Sequence, residues 1–201
     1  RLTHALCLEA PSPALLRDTA IALAGALLCR SGDGSLCGTC PACRKVLVGE
    51  HPDLMLYDPD EDKDIYKKES LRRLRAELYR TPVEAPRKVA ILQLAERIPA
   101  EGQNLLLKII EEPPEGVLFL LTATSAATVL PTIRSRAVQL QLSPLSYEQA
   151  IPELKRRFPD KSDLELADAL EQAEGYLGPA CEALRDGLFL PQALALANGF
   201  A

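Results

Sequence analysis

Short apolar runs recur along this chain and alternate with longer segments in which apolar residues follow a helical period. The runs cover residues 4–8, 54–57, 89–94, 117–122 and 137–142. Strands that alternate with helices are typical of a parallel sheet covered by helices on both faces. The pattern therefore predicts an α/β domain.

Two of the intervening helices have clear boundaries in the sequence. Ser12 is a candidate N-cap and Pro13 suits the first helical position, so a largely buried helix is predicted over 14–28. A second helix is predicted over 100–112, and two prolines at 113 and 114 end it because proline cannot continue the helical ladder. Four of its apolar residues should be buried, namely Leu105, Leu106, Ile109 and Ile110.

Strand signals stop near Ser143-Pro144, and helix signals continue to the end of the chain. Ser146 with Gln149, and Ser162 with Glu165, match the capping box that opens a helix. We therefore expect an α/β domain over residues 1–144 and a small all-α domain of three or four helices over residues 145–201.

The composition is that of an ordinary globular protein and narrows the possible partners. Of the 201 residues, 47% are hydrophobic, which is enough for a sizeable core. The apolar runs fall well short of the roughly 20 residues that cross a bilayer, so no membrane association is expected. The net charge of −5 argues against a protein whose whole surface grips nucleic acid phosphates.

A basic segment over residues 67–88 is the candidate for a local nucleic-acid patch. Its cations are Lys67, Lys68, Arg72, Arg73, Arg75, Arg80, Arg87 and Lys88. We interpret the segment as the solvated face of an amphipathic helix that is anchored by Leu71, Leu74 and Leu78. A patch that binds DNA remains the alternative.

Four of the six cysteines crowd into fifteen residues with the spacing C-x7-C-x2-C-x2-C. They are Cys29, Cys37, Cys40 and Cys43. The pair at 37 and 40 forms a tight knuckle that lets two thiolates face one metal ion. Four thiolates leave no open position for a catalytic water, so we expect a structural Zn²⁺ ion rather than a catalytic one.

Two other roles for these cysteines stay open at this point. Three cysteines spaced by two residues also begin the bacterial ferredoxin pattern, but Cys43 is followed by Arg-Lys-Val and not by a further Cys-Pro. Disulfides suit this chain less well because its size makes covalent staples unnecessary. Cys7 and Cys181 lie in apolar surroundings, and we assign them no role.

Two further motifs carry a family resemblance. Residues 104–114 read Asn-Leu-Leu-Leu-Lys-Ile-Ile-Glu-Glu-Pro-Pro, which is close to the N-A-L-L-K-x-x-E-E-P-P signature of bacterial clamp-loader subunits. Residues 132–137, Thr-Ile-Arg-Ser-Arg-Ala, resemble the S-R-C motif of the same subunits, with alanine in place of cysteine. Together with the four cysteines, these motifs make residues 2–142 similar to the clamp-loader branch of the AAA+ family.

This resemblance implies a P-loop-type parallel sheet domain that carries a zinc knuckle and is followed by a helical lid. A C-terminal collar domain is also implied, and we expect it to lie outside these 201 residues. In register with the family, the phosphate-binding loop falls at residues 10–17. There the glycine, lysine and hydroxyl positions are replaced by Ala10, Leu15, Leu16 and Arg17.

Other positions that bind the nucleotide in active relatives also lack the family's functional side chains here. Gln93 and Leu94 stand where an acidic pair would hold magnesium and activate water, and Gly178 stands where active relatives offer an arginine. Glu96 is nearby, but we interpret it as a solvated helix residue. The resemblance thus implies that this chain neither binds nor hydrolyses ATP, because the groups that cradle phosphates are missing.

One functional group of the family is retained. The resemblance implies that Arg136 is an arginine finger directed into the ATP site of a neighbouring motor subunit, with Ser135 as motif support. On residue type alone, an arginine near a strand is usually a surface residue. Arg134 is the rival candidate, and the motif register favours Arg136.

The implied function is that of a non-hydrolysing clamp-loader subunit of the bacterial DNA polymerase III holoenzyme, which helps load the sliding clamp onto primer-template DNA in the cytoplasm. Its implied partners are the gamma and tau ATPase subunits and the delta subunit. Two other functions remain open, a purely structural degenerate AAA+ scaffold and a zinc-dependent DNA-binding module. The acidic charge and the 4% aromatic content count against the last of these.

Overall fold

A computed structural model describes residues 4–31, 34–60 and 65–185. These residues separate into two compact units, residues 4–141 and residues 142–185. The part of the expected lid that spans residues 186–201 lies outside the described residues.

The first unit is built on five strands, β1 (Ala5–Glu9), β2 (Leu54–Tyr57), β3 (Lys88–Leu92), β4 (Val117–Ala123) and β5 (Val138–Gln141). Neighbouring strands all pair in parallel, in the order β2-β3-β4-β1-β5. Each predicted run coincides with one strand to within two residues at either end. The predicted α/β fold is confirmed.

Five α-helices lie among the described residues of this unit, α1 (Pro13–Leu28), α2 (Pro41–Leu47), α3 (Lys68–Leu78), α4 (Ala100–Glu111) and α5 (Pro131–Arg134). Short 3₁₀ turns follow β3 and β4, at Ala95–Arg97 and Ala126–Thr128. The two helices with predicted boundaries, α1 and α4, begin and end within one residue of those boundaries.

Helices cover both faces of the sheet. On one face, Ala90, Leu92 and Phe119 belong to a buried cluster that also contains residues of α3, α4 and α5. No described residue of α1 belongs to that cluster, yet α1 packs against β3 and β4, so it covers the opposite face. Every residue of these two central strands is buried, as expected for strands between two helical layers.

Residues 68–78 of the basic segment form α3, whose amphipathic character is confirmed, whereas Arg80 and Arg87 follow the helix and do not belong to its face. Leu71, Leu74 and Leu78 are buried against the core. The expectation is wrong at Lys88, which is only 5% exposed and whose Nζ donates to the Glu77 carbonyl at 2.7 Å. Lys88 is buried because it begins the central strand β3 instead of belonging to the helix surface.

A glycine allows α3 and α4 to pack closely. A Cβ at Gly102 would lie 2.3 Å from Leu71 Cδ1 and 2.9 Å from Ile98 Cγ2, both closer than atoms can approach. Three of the predicted apolar residues of α4 are buried, and Leu105 is half-buried. The absence of a side chain at residue 102 therefore sets the distance of α4 from its neighbour.

The second unit contains α6 (Tyr147–Arg157), α7 (Asp163–Gln172) and α8 (Leu177–Leu184). These helices enclose their own buried cluster, which includes Leu154, Leu166 and Leu170. Both bonds of the capping box at Ser162 are present, since its N–H donates to Glu165 Oε2 at 2.9 Å and its Oγ accepts from the Glu165 N–H at 3.3 Å.

A bilayer-spanning helix is not found in the described part of the chain, where every helix is too short or too polar.

Candidate functional site

The four clustered cysteines converge on one point in the first unit. Their Sγ atoms all lie within 4.8 Å of one another, with Cys37 to Cys43 at 3.7 Å and Cys29 to Cys40 at 4.0 Å. A tetrahedral zinc ion with Zn–S bonds of about 2.3 Å would hold its thiolates about 3.8 Å apart. The arrangement therefore fits one metal ion, whereas a multi-iron cluster would hold the thiolates farther apart. All six cysteines are free of disulfides.

The local backbone explains how the chain brings these thiols together. Cys29 directly follows the last residue of α1, and Cys40 caps α2, where its Sγ accepts from the Cys43 N–H at 3.4 Å. Gly38 makes the turn between them with a φ of +71°, a conformation that favours glycine. The knuckle is thus a turn held between two helix ends.

Hydrogen bonds prepare some of these thiols for ionisation. Backbone N–H groups of Cys40 and Thr39 lower the pKa of Cys37 to about 6. A backbone hydrogen bond from Arg30 also lowers the pKa of Cys40, whereas burial raises the pKa of Cys43. Because zinc binds thiolates, the metal would have to displace the proton of Cys43 on binding.

Glu84 links the cysteine knuckle to the rest of the unit. Its carboxylate pairs with the ammonium of Lys45 in α2 and lies 3.8 Å from a guanidinium nitrogen of Arg30. Arg30 Nη2 also donates to the Glu84 carbonyl at 3.2 Å. Both partners lie close in sequence to cysteines of the cluster, so Glu84 holds both ends of the knuckle.

The loop that carries Glu84 is fixed by a buried carboxylate. Asp53 accepts the backbone N–H groups of Val83, Glu84 and Ala85 at 2.7, 2.7 and 2.8 Å. Burial acts to raise the pKa of Asp53, but these three donors hold it below its usual range. The carboxylate is thus ionised where it receives the loop.

At the carboxyl end of β1, the phosphate-loop position is taken by the start of α1. Pro11 and Pro13 have no N–H, the Ala10 N–H bonds to the Ala123 carbonyl at 3.3 Å, and the Leu15 N–H bonds to Ser12 Oγ at 3.3 Å. A phosphate loop aims such N–H groups at its ligand. Here these donors are absent or already bonded.

The side chains of this segment face elsewhere. Leu16, at the lysine position, is completely buried in the core. Arg17, at the hydroxyl position, places its Nη1 2.5 Å from Asp58 Oδ1. Leu16 therefore presents no group that would hold a phosphate, and Arg17 offers no hydroxyl for a magnesium ion, while its guanidinium is paired with Asp58.

The two positions of the acidic pair are joined through hydrogen bonds to Thr122, while Gln93 Nε2 is buried without a partner. Thr122 Oγ1 donates to Gln93 Oε1 at 2.8 Å and accepts from the Leu94 N–H at 2.9 Å. Leu94 has a left-handed φ of +50°, which costs a residue with a Cβ about 1–2 kcal/mol. The end of β3 is thus held by its own polar groups, and neither residue offers a carboxylate.

Glu96 differs from its expected role. Its Oε1 accepts from the Thr124 N–H at 2.9 Å and from Thr124 Oγ1 at 2.6 Å, and its Oε2 is shielded from solvent. The expectation of a solvated helix residue is wrong because residues 95–97 form a 3₁₀ turn. That turn folds the carboxylate onto the end of β4.

Arg136 lies beside the amino ends of the strands, opposite the carboxyl ends where the phosphate-loop position is found. α5 returns the chain from the end of β4 to the start of β5, and Arg136 precedes β5 by two residues. Its Nη1 donates to the Thr132 carbonyl at 3.0 Å and to Ser135 Oγ at 3.1 Å. Its Nη2 lies 2.7 Å from Glu111 Oε1.

Ser135 completes this arrangement, since its Oγ donates to the same Thr132 carbonyl at 3.0 Å. The Arg136 side chain is nevertheless 39% exposed. A guanidinium has five N–H groups, and the three bonds leave the Nε–H and one Nη2–H for another acceptor. Arg136 is therefore oriented on one side and open on the other.

The rival arginine has different surroundings. Burial raises the pKa of the Cys7 thiol to about 11, and the charge of Arg134 weakly opposes that shift. Arg134 thus lies within electrostatic reach of β1, whereas Arg136 pairs with the end of α4.

Glu111, Glu84 and Asp53 contribute to these sites but were not identified from the sequence. Glu111 stands in the Glu-Glu-Pro-Pro motif, which was a usable signal for its proximity to the Ser-Arg motif. The other two residues belong to no motif, and only the fold brings them to the knuckle.

Comparison with known proteins places the chain in a family. A family model described as "DNA polymerase III, delta subunit" matches residues 1–146. The DNA polymerase III subunit delta' of Pseudomonas aeruginosa is 36% identical over 171 residues, which cover 84% of this chain and 51% of the relative. The subunit delta' of Haemophilus influenzae is 32% identical over 184 residues, or 92% and 56% of the two chains. The chain spans about half the length of these curated relatives.

The fold also matches a solved structure. The crystal structure of a DNA polymerase III gamma subunit-related protein from Thermotoga maritima aligns with a TM-score of 0.53 at 18% identity. The alignment covers 97% of this chain and 65% of that one. This likeness shows a shared fold.

Proposed function

Because this chain belongs to the DNA polymerase III delta subunit family, with delta' subunits among its relatives, we propose that it is a non-hydrolysing clamp-loader subunit that supplies an arginine finger in trans. The family match confirms the resemblance that the motifs and the cysteine knuckle indicated. The proposed partners are the gamma and tau ATPase subunits and the delta subunit. Through that complex the chain would help load the sliding clamp onto primer-template DNA in the cytoplasm.

The observation that carries this proposal is the state of Arg136. The guanidinium is oriented by Thr132 and Ser135, is partly exposed and keeps two N–H groups for another acceptor. Planar guanidinium donors match phosphate oxygens, and a positive charge placed against a transferring phosphoryl group accelerates its transfer. The ordered and partly exposed guanidinium of Arg136 supports the proposed finger role.

The contacts at the carboxyl ends of the strands support the proposal that the chain itself does not hydrolyse ATP. At the start of α1, the prolines at 11 and 13 lack an N–H and the N–H groups of Ala10 and Leu15 are already bonded. Leu16 and Gln93 replace the lysine and the first acid. Without these groups, the phosphates would lack a cradle and magnesium would lack a carboxylate. The chain would therefore act on a neighbour's ATP and not on its own.

The role of the cysteine cluster is proposed to be structural. Four thiols arranged for one ion would fill the tetrahedron of Zn²⁺ and leave no position for a substrate or a water. The ion would fasten the end of α1 to the start of α2, beside the Glu84 bridge. In this role zinc would brace the domain and would take no part in ATP hydrolysis.

The finger is tested in a clamp loader reconstituted with the complete gene product that contains this chain. Arg136→Ala should slow hydrolysis at the ATP site facing the chain by roughly 10³-fold, the lower range for loss of an arginine finger. A single-turnover assay with DNA and clamp should lose the phase that belongs to this site. The matched control Arg134→Ala should keep that phase.

A full rate from Arg136→Ala, with normal assembly, would favour the structural scaffold over the finger. Assembly is followed by gel filtration of the complex, so loss of the phase can be separated from loss of the subunit.

The zinc assignment is tested by metal analysis of the purified protein. We expect one zinc per chain, and Cys37→Ser should lose it and lower the melting temperature. The control Cys181→Ala, which alters a buried cysteine of the second unit, should retain the metal. Iron with visible absorption would instead show a cluster.

A further inference from the structure

The motif Glu-Glu-Pro-Pro at the end of α4 contacts the Ser-Arg motif through a single ion pair. Glu111 Oε1 lies 2.7 Å from Arg136 Nη2, and the two side chains are 41% and 39% exposed. We propose that Glu111 is a positioning residue, which sets the direction in which Arg136 leaves the surface of the domain. The inference rests on the proposed finger function.

The backbone around Glu111 is well suited to such a role. Glu111 is the last residue of α4, directly after Ile109 and Ile110, which are both buried in the core. The neighbouring α5 is held by Ile133, which is 1% exposed. Each partner of the ion pair therefore projects from an anchored piece of backbone.

A second contact fixes α4 relative to α5. Gln103 is buried, its Nε2 donates to the Ile98 carbonyl at 2.7 Å, and its Oε1 accepts from the Leu130 N–H at 3.2 Å. Leu130 directly precedes α5. The first turn of α4 thus holds the start of α5, while the last residue of α4 holds Arg136. Contacts at both ends of α4 therefore fix the position of the Arg136 guanidinium.

Stability alone gives little reason for a carboxylate at this position. The carboxyl end of a helix carries partial negative charge, which disfavours an acid in the last turn. An exposed ion pair contributes little net stability, so it does little more than offset that cost. The main effect of the pair is geometric, because it limits the rotamers available to a long side chain.

The hydrogen-bond count shows how Glu111 can orient the finger without blocking it. Glu111 lies beside Nη2, and Thr132 and Ser135 accept from Nη1. These contacts leave the Nε–H on the remaining nitrogen of the planar group. N–H groups of a guanidinium match the oxygens of a phosphate. Glu111 therefore holds the end of the guanidinium away from the proposed ligand.

The test uses the same reconstituted complex, with Glu111→Ala as the principal variant. The rate constant of the facing site at saturating ATP should fall about 2- to 5-fold, the range an ordered exposed ion pair can supply. The ATP concentration for half-maximal rate should stay within about twofold, because Glu111 touches no nucleotide of its own. Glu111→Gln keeps an acceptor oxygen and should recover part of the rate.

Glu112→Ala is the matched control, since it removes the next carboxylate of the same motif and should leave the rate unchanged. Glu111→Ala should also leave the melting temperature unchanged or slightly higher, so that a lower rate is not explained by unfolding. A rate for Glu111→Ala equal to or above that of the unaltered complex would overturn the inference.

A double variant separates this inference from the finger proposal. If Glu111 acts through Arg136, Glu111→Ala should have no further effect once Arg136→Ala is present. An equal loss in both backgrounds would show a general structural role and reject the inference. A normal rate from Arg136→Ala alone would instead reject the finger, whereas a slow Arg136→Ala with a normal Glu111→Ala rejects only the positioning role.

Discussion

The carboxyl ends and the amino ends of the strands form two edges of this parallel sheet, and their polar groups are bonded in different ways. At the carboxyl edge, the polar groups near the family's nucleotide position bond to one another, as Thr122 does with Gln93 and Thr124 does with Glu96. At the amino edge, Arg136 is held by three bonds and still keeps donors for an outside acceptor. The first edge is largely closed by its own contacts, although Gln93 Nε2 and Glu96 Oε2 are buried without a partner, and the second is open.

Under the proposed function, binding a nucleotide and acting on another subunit's nucleotide would have separate structural requirements. The first would need backbone donors at the start of α1 and carboxylates after β3. The second would need α5 and the end of α4 in their correct places. Because the sheet separates the two edges, substitutions such as those at residues 16 and 93 leave the surroundings of Arg136 intact.

Restoring the family lysine at the closed edge gives the largest expected effect. Leu16 is completely buried, so Leu16→Lys would place an ammonium in the core and should lower the free energy of unfolding by about 3–5 kcal/mol. Urea unfolding followed by circular dichroism measures this loss. The control Leu16→Met conserves volume and polarity and should cost less than about 1.5 kcal/mol. A stable Leu16→Lys that binds ATP would show that this edge remains open to nucleotide.

A smaller effect is expected from the bonds that close the end of β4. Thr124→Val removes the hydroxyl that donates to Glu96 and leaves a partly buried carboxylate short of a partner, at a cost of about 1–2 kcal/mol. Thr128→Val is the control, because its hydroxyl bonds to the Ser125 carbonyl at an exposed site and its loss should cost under about 0.5 kcal/mol. If thermal unfolding shows equal losses of stability for Thr124→Val and Thr128→Val, the Glu96 contact has no special role.

The smallest expected effect sharpens the description of the open edge. Ser135→Ala removes one acceptor of Arg136, so turnover at the neighbour's site should fall about two- to threefold with no change in thermal stability. Thr132→Val is its control, since Arg136 bonds to the carbonyl of residue 132 and not to its side chain. A drop only in the control would mean that the side chain of Thr132, and not the hydroxyl of Ser135, governs the finger.

Much of the fold could be predicted because its signals are local. The five apolar runs, the Ser12 cap and the prolines after α4 each specify an element through a few neighbouring residues. The knuckle was predictable for the same reason, since its cysteines lie within fifteen residues. Residues that line one short turn or one helix face reveal themselves in the sequence.

The contacts that were missed or mistaken depend on residues far apart in the chain. Glu96 meets Thr124 across 28 residues, and Asp53 meets the loop at 83–85 across about 30. Lys88 was misplaced because its charge suggested a surface, although its main chain starts a central strand. Such pairings depend on the order of the strands, which no single segment encodes.

The contacts that link Asp53 through Glu84 to the knuckle have a consequence for the local unfolding of this domain. Three amides of one loop end on a single carboxylate, and the side chain of that loop reaches the flanks of the cysteine cluster. The knuckle and the loop should therefore behave as one cooperative unit in native-state hydrogen exchange. If the knuckle holds the proposed zinc, removing that ion should increase exchange at the amides of residues 83–85, far from any thiol in the sequence, before it affects the central strands.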